Sequence, residues 1–384
     1  MRTPNQRGRS INVPTLRPSA HPHLVLNAEA LSGPAQEAVD EFFREAESRN
    51  TRESYRAALA YWGAWHRLRF GRAIILPVPL TVVQQFVVDH LQRQGADGTL
   101  THLLPREIDE WMVRNGFKGK PGPLALNTVQ HRLAVLSKAH QVRDDIAPEQ
   151  NPCRHVAVRD LLATTRKAYA KRGAVPRKLD ALTRDRLQAI LAKCGADIRG
   201  IRDRALLLFA WSSGGRRRSE VAAADLQFLT RKGSGFAYRL AHSKTNQSGR
   251  DQPENYKPIQ GEAAEALRAW LLESGIRTGP IFRRVLKGGR VGGALSSEGV
   301  AKIVKSRCQE AALGGRFSAH SLRSGFLTEA GAQEIPLKTA MAMSGHKSVS
   351  VAVGYMHVGA LDQSPAATLL ENPRSIRSNK VRRG

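Results

Sequence analysis

HSLRSGFLTEAGAQEIPLKTAMAMSGHKSVSVAVGY, residues 320–355, carries four side chains whose order decides how the rest of this chain is interpreted. His320 and Arg323 are three residues apart, a spacing that places both on one face of a helix. His346 follows a glycine at a predicted helix start, and Tyr355 comes after it. A guanidinium grips phosphate oxygens, an imidazole moves protons, and a phenolic oxygen is a nucleophile once its proton leaves. The stretch therefore indicates attack of a tyrosine on a phosphodiester.

Two upstream groups of cations join this set. Arg216, Arg217 and Arg218 follow a double glycine between two predicted helices, where a second guanidinium could hold the phosphate from its other side. Lys244 lies in a predicted turn between strands, from which a flexible ammonium can reach DNA and protonate a leaving oxygen. Each signal alone has a plain structural explanation, such as a solvated turn or a packed ring. Only their joint order is specific.

The composition of the chain indicates a polyanionic partner. Its 384 residues include 60 Lys and Arg against 33 Asp and Glu, a formal net charge of +27. A folded protein this basic repels itself unless it meets nucleic acid, which it would bind through phosphates. A basic surface without function and a membrane surface are the weaker alternatives. We find no apolar run near the ~20 residues that a membrane helix needs, and no secretory signal.

The three cysteines are Cys153, Cys194 and Cys308. They are far apart and odd in number, so the sequence predicts neither a disulfide framework nor a metal-binding cysteine pair. No carboxylate cluster suggests a Mg²⁺ site, and we expect no metal and no cofactor. Free thiols in a reducing cytosol are the expectation, so the predicted location is cytoplasmic and associated with the nucleoid.

Composition and periodicity divide the chain into five predicted segments. In order they are a flexible basic N-terminal arm (1–34), an all-helical first domain (35–165), a basic linker (166–178), a second domain (179–370) and a basic C-terminal tail (371–384). The arm could touch DNA or be simply solvated. The linker residues Lys171, Arg172, Arg177 and Lys178 suit a crossing of DNA, with an ordinary solvated linker as the alternative.

The predicted fold is mainly α-helical with one small antiparallel sheet. The first domain shows helical spacing and no strand. In the second, Thr183 caps a helix and Ile201 to Ser213 predicts a buried one. Turn signals separate three short predicted strands, after which helices are expected from Glu262 to the end. These strands are Leu226 to Thr230, Phe236 to His242 and Glu254 to Ile259.

The order Arg, Lys, His-x-x-Arg, Gly-His, Tyr resembles the tyrosine recombinases of the phage-integrase family, and is closest in style to Cre. The resemblance runs from about residue 35 to 370, with its specific motifs in the second domain. A Gly-x-Arg-x-Ser-Glu pattern implies that Arg217 is the catalytic arginine and that Glu220 supports it. Arg216 and Arg218 stand where the family usually has apolar residues. Either could therefore be the clamp instead, and the run of three strengthens attraction to DNA.

The remaining roles that the resemblance implies match the family motifs position by position. Lys244 is the general acid for the leaving 5′ oxygen, His320 and Arg323 are the His-x-x-Arg pair, His346 takes the later His or Trp position, and Tyr355 is the nucleophile.

The resemblance also implies the architecture and the activity. An all-α, SAM-like core-binding domain and an α+β catalytic domain would form a C-shaped clamp on double-stranded DNA. Four copies would act on two recombination sites through a 3′-phosphotyrosine intermediate, without metal or ATP, with accessory proteins as additional candidate partners. The alternatives are a type IB topoisomerase or telomere resolvase, and a catalytically silent DNA-binding accessory protein. An RNA-binding structural protein would explain the charge but not the motif order. The target site stays open, as does the role in phage integration, transposon resolution or chromosome dimer resolution.

Overall fold

The computed structural model describes residues 49–143, 145–174, 178–240 and 252–361. The chain divides after Val175 into two compact units. The N-terminal arm, the C-terminal tail, Lys244 and Arg177 lie outside the described residues.

Unit 1 is a helical bundle. Its elements are α1 (Arg49–Phe70), α2 (Leu80–His90), β1 (Arg93–Gln94), β2 (Leu100–Thr101), α3 (Arg106–Arg114), α4 (Leu126–Gln141) and α5 (Val156–Lys171). Trp62 and Trp65 share a face of α1 and are fully buried. The Trp62 ring stacks on Phe86 of α2 with centroids 3.7 Å apart. These rings bury the large apolar area on which a small helical unit depends.

One detail of the unit 1 prediction was wrong. Strands β1 and β2 pair antiparallel, whereas the sequence showed only helices. The turn between them contains Asp97, whose carboxylate accepts from the Thr99 backbone N–H at 3.1 Å. A strand of two residues carries no alternating pattern, so periodicity could not reveal it.

The predicted linker also begins inside a helix. Residues 166–171 continue α5, which ends only at Lys171. Near its end, Tyr169 accepts a hydrogen bond from the Gln92 backbone N–H at 2.7 Å. This contact holds the last turns of α5 against the rest of unit 1. The basic residues among 166–171 therefore belong to a packed helix.

Unit 2 combines helices with two small sheets. Its elements are α6 (Arg184–Leu191), α7 (Ile198–Ser212), α8 (Arg218–Ala222), β3 (Leu229–Lys232), β4 (Gly235–Arg239), β5 (Tyr256–Ile259), α9 (Gly261–Ser274), β6 (Arg283–Val285), β7 (Val291–Ala294), α10 (Ser297–Glu310), α11 (His320–Ala332), α12 (Leu337–Ser344) and α13 (Val349–Ala360). The three expected strands form an antiparallel sheet in the order β3-β4-β5. Helix α7 is buried against α9, with Phe209 and Trp270 fully enclosed.

A second hairpin was missed. Strands β6 and β7 pair antiparallel in the region where the sequence predicted only helices. Each has three or four residues, too few for alternation to be visible. The fold is therefore mainly α with small antiparallel sheets.

Helices α11 and α13 pack so closely that only a glycine fits between them. A Cβ added at Gly331 would lie 2.0 Å from the Met356 carbonyl oxygen. This close approach holds α13 against the last turn of α11. The Tyr355 side chain on α13 reaches from there to His320 at the beginning of α11, with 3.5 Å between the hydroxyl and Nε2.

Candidate active site

Arg216 and Arg218 lie in opposite environments although only one residue separates them. Arg216 is 3% exposed, and its Nη2 donates to the Met343 carbonyl oxygen at 2.6 Å. Arg218 is on the surface, where it pairs with Glu298 at 3.3 Å. Neither combines a buried supporting carboxylate with an open face, although both contribute to the lining of the cavity described below.

Arg217 does combine them. Its Nη1 donates to Glu220 Oε1 at 2.5 Å, and its backbone N–H donates to Oε2 of the same carboxylate at 3.2 Å. Burial alone would raise the pKa of Glu220, but the charges of Arg216 and Arg217 and the hydrogen bonds from Arg217 outweigh it and lower that pKa. Glu220 is thus an ionised support that fixes Arg217 at the start of α8.

A cavity of about 340 Å³ opens between the start of α8 and the start of α11. Arg217, His320 and Arg323 all line it. Its dimensions and its positive lining suit a phosphate group.

Arg323 is buried at the floor of this cavity, with 2% exposure. Its Nη1 donates to the Gly215 carbonyl oxygen, and its Nη2 contacts His346 Nδ1, both at 3.2 Å. Burial and then the charges of Arg217 and Arg216 lower the pKa of Arg323. A guanidinium nevertheless keeps its proton at neutral pH, so the cavity is strongly cationic.

The partner of His346 defines its tautomer. Because the Arg323 guanidinium can only donate, His346 Nδ1 accepts, and the ring proton of the neutral form is on Nε2. Ser344 Oγ also lies 2.9 Å from Nδ1. Burial and then the charges of Arg323 and Arg217 lower the pKa of His346 to about 4. At neutral pH His346 is therefore an uncharged N–H donor.

Tyr355 extends from α13 toward the beginning of α11. Its hydroxyl is 3.5 Å from His320 Nε2, a long contact, and its ring centroid is 6.4 Å from that of His346. Burial and then the charges of Arg323 and Arg217 lower the pKa of His320. A neutral imidazole beside a phenol is placed to accept its proton.

The structure brings most of the predicted site residues together in unit 2. These are Arg217, Glu220, His320, Arg323, His346 and Tyr355. Among the predicted DNA contacts, Lys171 and Lys178 are exposed. Arg172 instead donates to the Gln92 carbonyl oxygen at 3.2 Å and lies 4.7 Å from the centroid of the Tyr169 ring.

One residue at the site was missed by the sequence analysis. Lys257 on β5 is 2% exposed, and its Nζ donates to the Ala342 carbonyl oxygen at 2.5 Å. Strand β5 alternates exposed and buried positions, so Lys257 shares the inward face with Ile259. A lysine in a short strand is ordinarily expected on the solvent-facing side. Only its position two residues before the apolar Ile259 could have predicted that Lys257 faces inward.

Two further features concern the described ranges only. No three His, Cys, Asp or Glu side chains group there as metal ligands. None of the helices there has the length and apolar character needed to cross a bilayer.

Comparison with known proteins identifies the family of this chain. Residues 180–361 match the phage integrase family. The integrase/recombinase xerD homolog of Selenomonas ruminantium is 31% identical over 256 residues, which are 64% of this chain and 72% of that protein. Tyrosine recombinase XerC of Syntrophus aciditrophicus (strain SB) is 26% identical over 170 residues, 42% of this chain and 51% of that protein. The chain belongs to the phage integrase family, the tyrosine recombinases.

Two solved structures share the fold. One is XerH site-specific recombinase bound to a palindromic difH substrate, with a TM-score of 0.53 and 15% identity over 90% of this chain and 86% of that one. The other is the Tn1549 transposon integrase in complex with transposon right end DNA, with a TM-score of 0.53 and 14% identity over 86% of this chain and 96% of that one. At this level of identity the likeness concerns the fold alone.

Proposed function

We propose that this protein is a site-specific DNA recombinase that cuts and rejoins strands through a 3′-phosphotyrosine bond at Tyr355. The observation that carries the proposal is the Tyr355 hydroxyl at 3.5 Å from His320, beside the cavity that Arg217 and Arg323 line. The net charge of +27 supports a DNA substrate. Xer-type recombinases and transposon integrases, to which the chain is similar, act on DNA as their names and complexes state.

The proposed reaction begins when the scissile phosphate enters the cavity. His320 accepts the Tyr355 proton, and the phenolic oxygen attacks phosphorus. Arg217 and Arg323 stabilise the negative charge on the pentavalent phosphorus, and His346 donates from Nε2. Lys244, which lies outside the described residues, is proposed to protonate the 5′ oxygen as its bond to phosphorus breaks.

The covalent intermediate determines how the reaction is completed. The phosphotyrosine bond conserves the energy of the phosphodiester, so we expect religation without ATP, and the guanidinium charges make a metal unnecessary. Attack by the 5′ hydroxyl of another strand reverses the step and exchanges strands. We propose a homotetramer on two DNA sites. Nucleoid association would result from that substrate.

The test is covalent trapping. The protein is incubated with nicked suicide DNA fragments from its own genomic neighbourhood, without metal or ATP, and run on a denaturing protein gel. We expect an adduct with wild type and with Tyr55→Phe, which removes an equivalent oxygen from α1, but none with Tyr355→Phe. An adduct that persists in Tyr355→Phe would contradict the assignment of the nucleophile. Binding without any adduct would favour a silent accessory protein, and plasmid relaxation without strand exchange would favour a topoisomerase.

A further inference from the structure

The carboxyl end of α12 lies directly before the predicted catalytic His346, and its carbonyl groups have an unusual set of partners. The last four carbonyls of any helix lack partners within it. Here the Gly345 N–H reaches the Met341 oxygen at 2.7 Å. The Ala342 oxygen accepts from Lys257 Nζ and the Met343 oxygen from Arg216 Nη2, at 2.5 and 2.6 Å.

Both of these cations are almost fully enclosed, Arg216 with 3% and Lys257 with 2% exposure. A charge leaves water at a large cost unless hydrogen bonds and opposite charge compensate it. Glu220 is the nearby carboxylate, 3.6 Å from Arg216, and it is shared with Arg217. Lys257 also donates to the Glu254 carbonyl oxygen. The remaining compensation comes from the negative end of the α12 dipole, which favours cations.

We propose that Arg216 and Lys257 are positioning residues that clamp the end of α12 and so hold His346 against Arg323. This proposal deepens the proposed function and rests on it. The two cations come from different elements, the loop before α8 and strand β5, and converge on consecutive carbonyls of α12.

Only a short stretch of chain separates the end of α12, which the two cations hold, from the predicted catalytic His346. Gly345, in a left-handed conformation with φ of 67°, turns the chain from α12 into His346. On the other side, the loop before α8 (residues 213–217, the arginine loop) contacts the same helix end. A Cβ added at Gly214 in this loop would lie 2.2 Å from the Met343 oxygen. Displacement of α12 would therefore shift His346 relative to Arg323.

The surroundings of Lys257 agree with this role. Burial, and then the charge of Arg216, lower its pKa to about 8, while Glu220 and Glu254 act in the opposite direction and Arg323 adds to the lowering. Since burial disfavours the charged form of Lys257, its ammonium depends on the carbonyl oxygens of Ala342 and Glu254 that accept from it, and the first of these belongs to α12. A lysine kept only for packing would be replaceable by a methionine of similar length.

The first experiment measures the rate of adduct formation in single turnover, together with the affinity for the same DNA. Lys257→Met and Arg216→Leu are compared with Lys338→Met, which removes a charge from the exposed first turn of α12. We expect adduct formation to slow by on the order of 10- to 100-fold in the two clamp variants, since small misplacements of catalytic groups have effects of this size. In Lys257→Met, DNA affinity should stay within about two-fold. Arg216→Lys, which keeps a cationic donor, should recover part of the rate that Arg216→Leu loses.

The second experiment is the NMR titration of His346 in the free protein, assigned by comparison with His346→Phe. The charges that chiefly lower its pKa belong to Arg323, Arg217, His320 and Arg216, and Lys257 is not among them. A rise of the His346 pKa above about 4 in Lys257→Met would thus report movement of the ring away from Arg323. A purely stabilising role would leave it unchanged.

The outcomes separate the two proposals. An unchanged His346 titration in folded Lys257→Met, together with an unchanged adduct rate in both folded variants, would overturn the clamp. If wild type forms no adduct, the proposed function fails, while the titration still tests the positioning of His346. If Lys257→Met does not fold, Arg216→Leu carries the rate measurement, because the position of Arg216 is ordinarily apolar in the resembling family. Its titration does not report the position of the ring, since loss of the Arg216 charge would itself raise the His346 pKa.

Discussion

At the scale of single residues, the adjacent Arg217 and Arg218 are predicted to differ sharply in their effect on cleavage. Arg217→Ala removes a guanidinium that lines the phosphate cavity, and we expect adduct formation to fall by about 10²- to 10³-fold. Arg218→Ala removes a surface ion pair with Glu298, a kind of interaction worth about 0–1 kcal/mol, and should change the rate far less. Single-turnover assays on one suicide substrate compare them. A larger loss in Arg218→Ala would show that the register set by Glu220 is wrong.

His346 is predicted to act as a neutral donor, and its replacements can test this. Tryptophan carries a ring N–H and no titratable charge near neutral pH, whereas phenylalanine carries neither donor nor charge. We expect His346→Trp to retain much more adduct formation than His346→Phe. The wild-type rate should also show no loss attributable to His346 protonation between pH 8 and 6, because its pKa of about 4 lies below that range. Equal losses in both variants would contradict the donor role.

The sequence predicted those residues of the candidate site that belong to recognisable motifs, and it did not predict the others. The spacing of His320 and Arg323, and the glutamate three residues after Arg217, are local features that a sequence displays directly. The burial of Arg216 and Lys257 is not local, because their partners on α12 are 127 and 85 residues away. The local sequence pattern of β5 or of the arginine loop does not indicate that the end of α12 will cover Lys257 and Arg216.

At the scale of elements, the close contact between the arginine loop and α12 predicts that a methyl group added at Gly214 lowers the free energy of unfolding strongly. Gly214 has φ of 97°, and an added Cβ would meet the Met343 oxygen at 2.2 Å. Gly233, in the β3-β4 turn, has φ of 59° and open space around it. Gly233→Ala should cost roughly 1–2 kcal/mol of unfolding free energy from backbone strain alone. Gly214→Ala should cost about 1–3 kcal/mol more, because overpacking is added.

Urea unfolding of the two alanine variants gives both free energies. Similar values would mean that α12 retreats from the loop without loss of stability. In that case Gly214→Ala should still lower adduct formation, because the helix end that precedes His346 would have moved.

Elements with a long, consistent pattern were the ones that the sequence predicted well. Helix α7 was expected at Ile201 to Ser213 and runs over Ile198–Ser212, since its apolar residues are nearly continuous. The β6-β7 hairpin was missed because strands of three or four residues show too few alternations. The last residues of α5, 166–171, were assigned to the linker because lysines and arginines on an exposed helical face resemble those of a linker.

At the scale of the whole molecule, the separate main hydrophobic cores of the two units predict two unfolding transitions. Unit 1 is built around Trp62, Trp65 and Phe86, and unit 2 around a core that includes Leu206 and Trp270, with no residue common to both. Domains with their own cores commonly violate two-state behaviour. We expect Phe86→Ala to destabilise unit 1 by about 3–5 kcal/mol and Leu206→Ala to destabilise unit 2 by about 2–5 kcal/mol. Calorimetry of both variants should show a different transition moving in each. One transition that moves by a similar amount in both variants would mean that the units unfold as a single cooperative body, and DNA cleavage could then not be separated from the stability of unit 1.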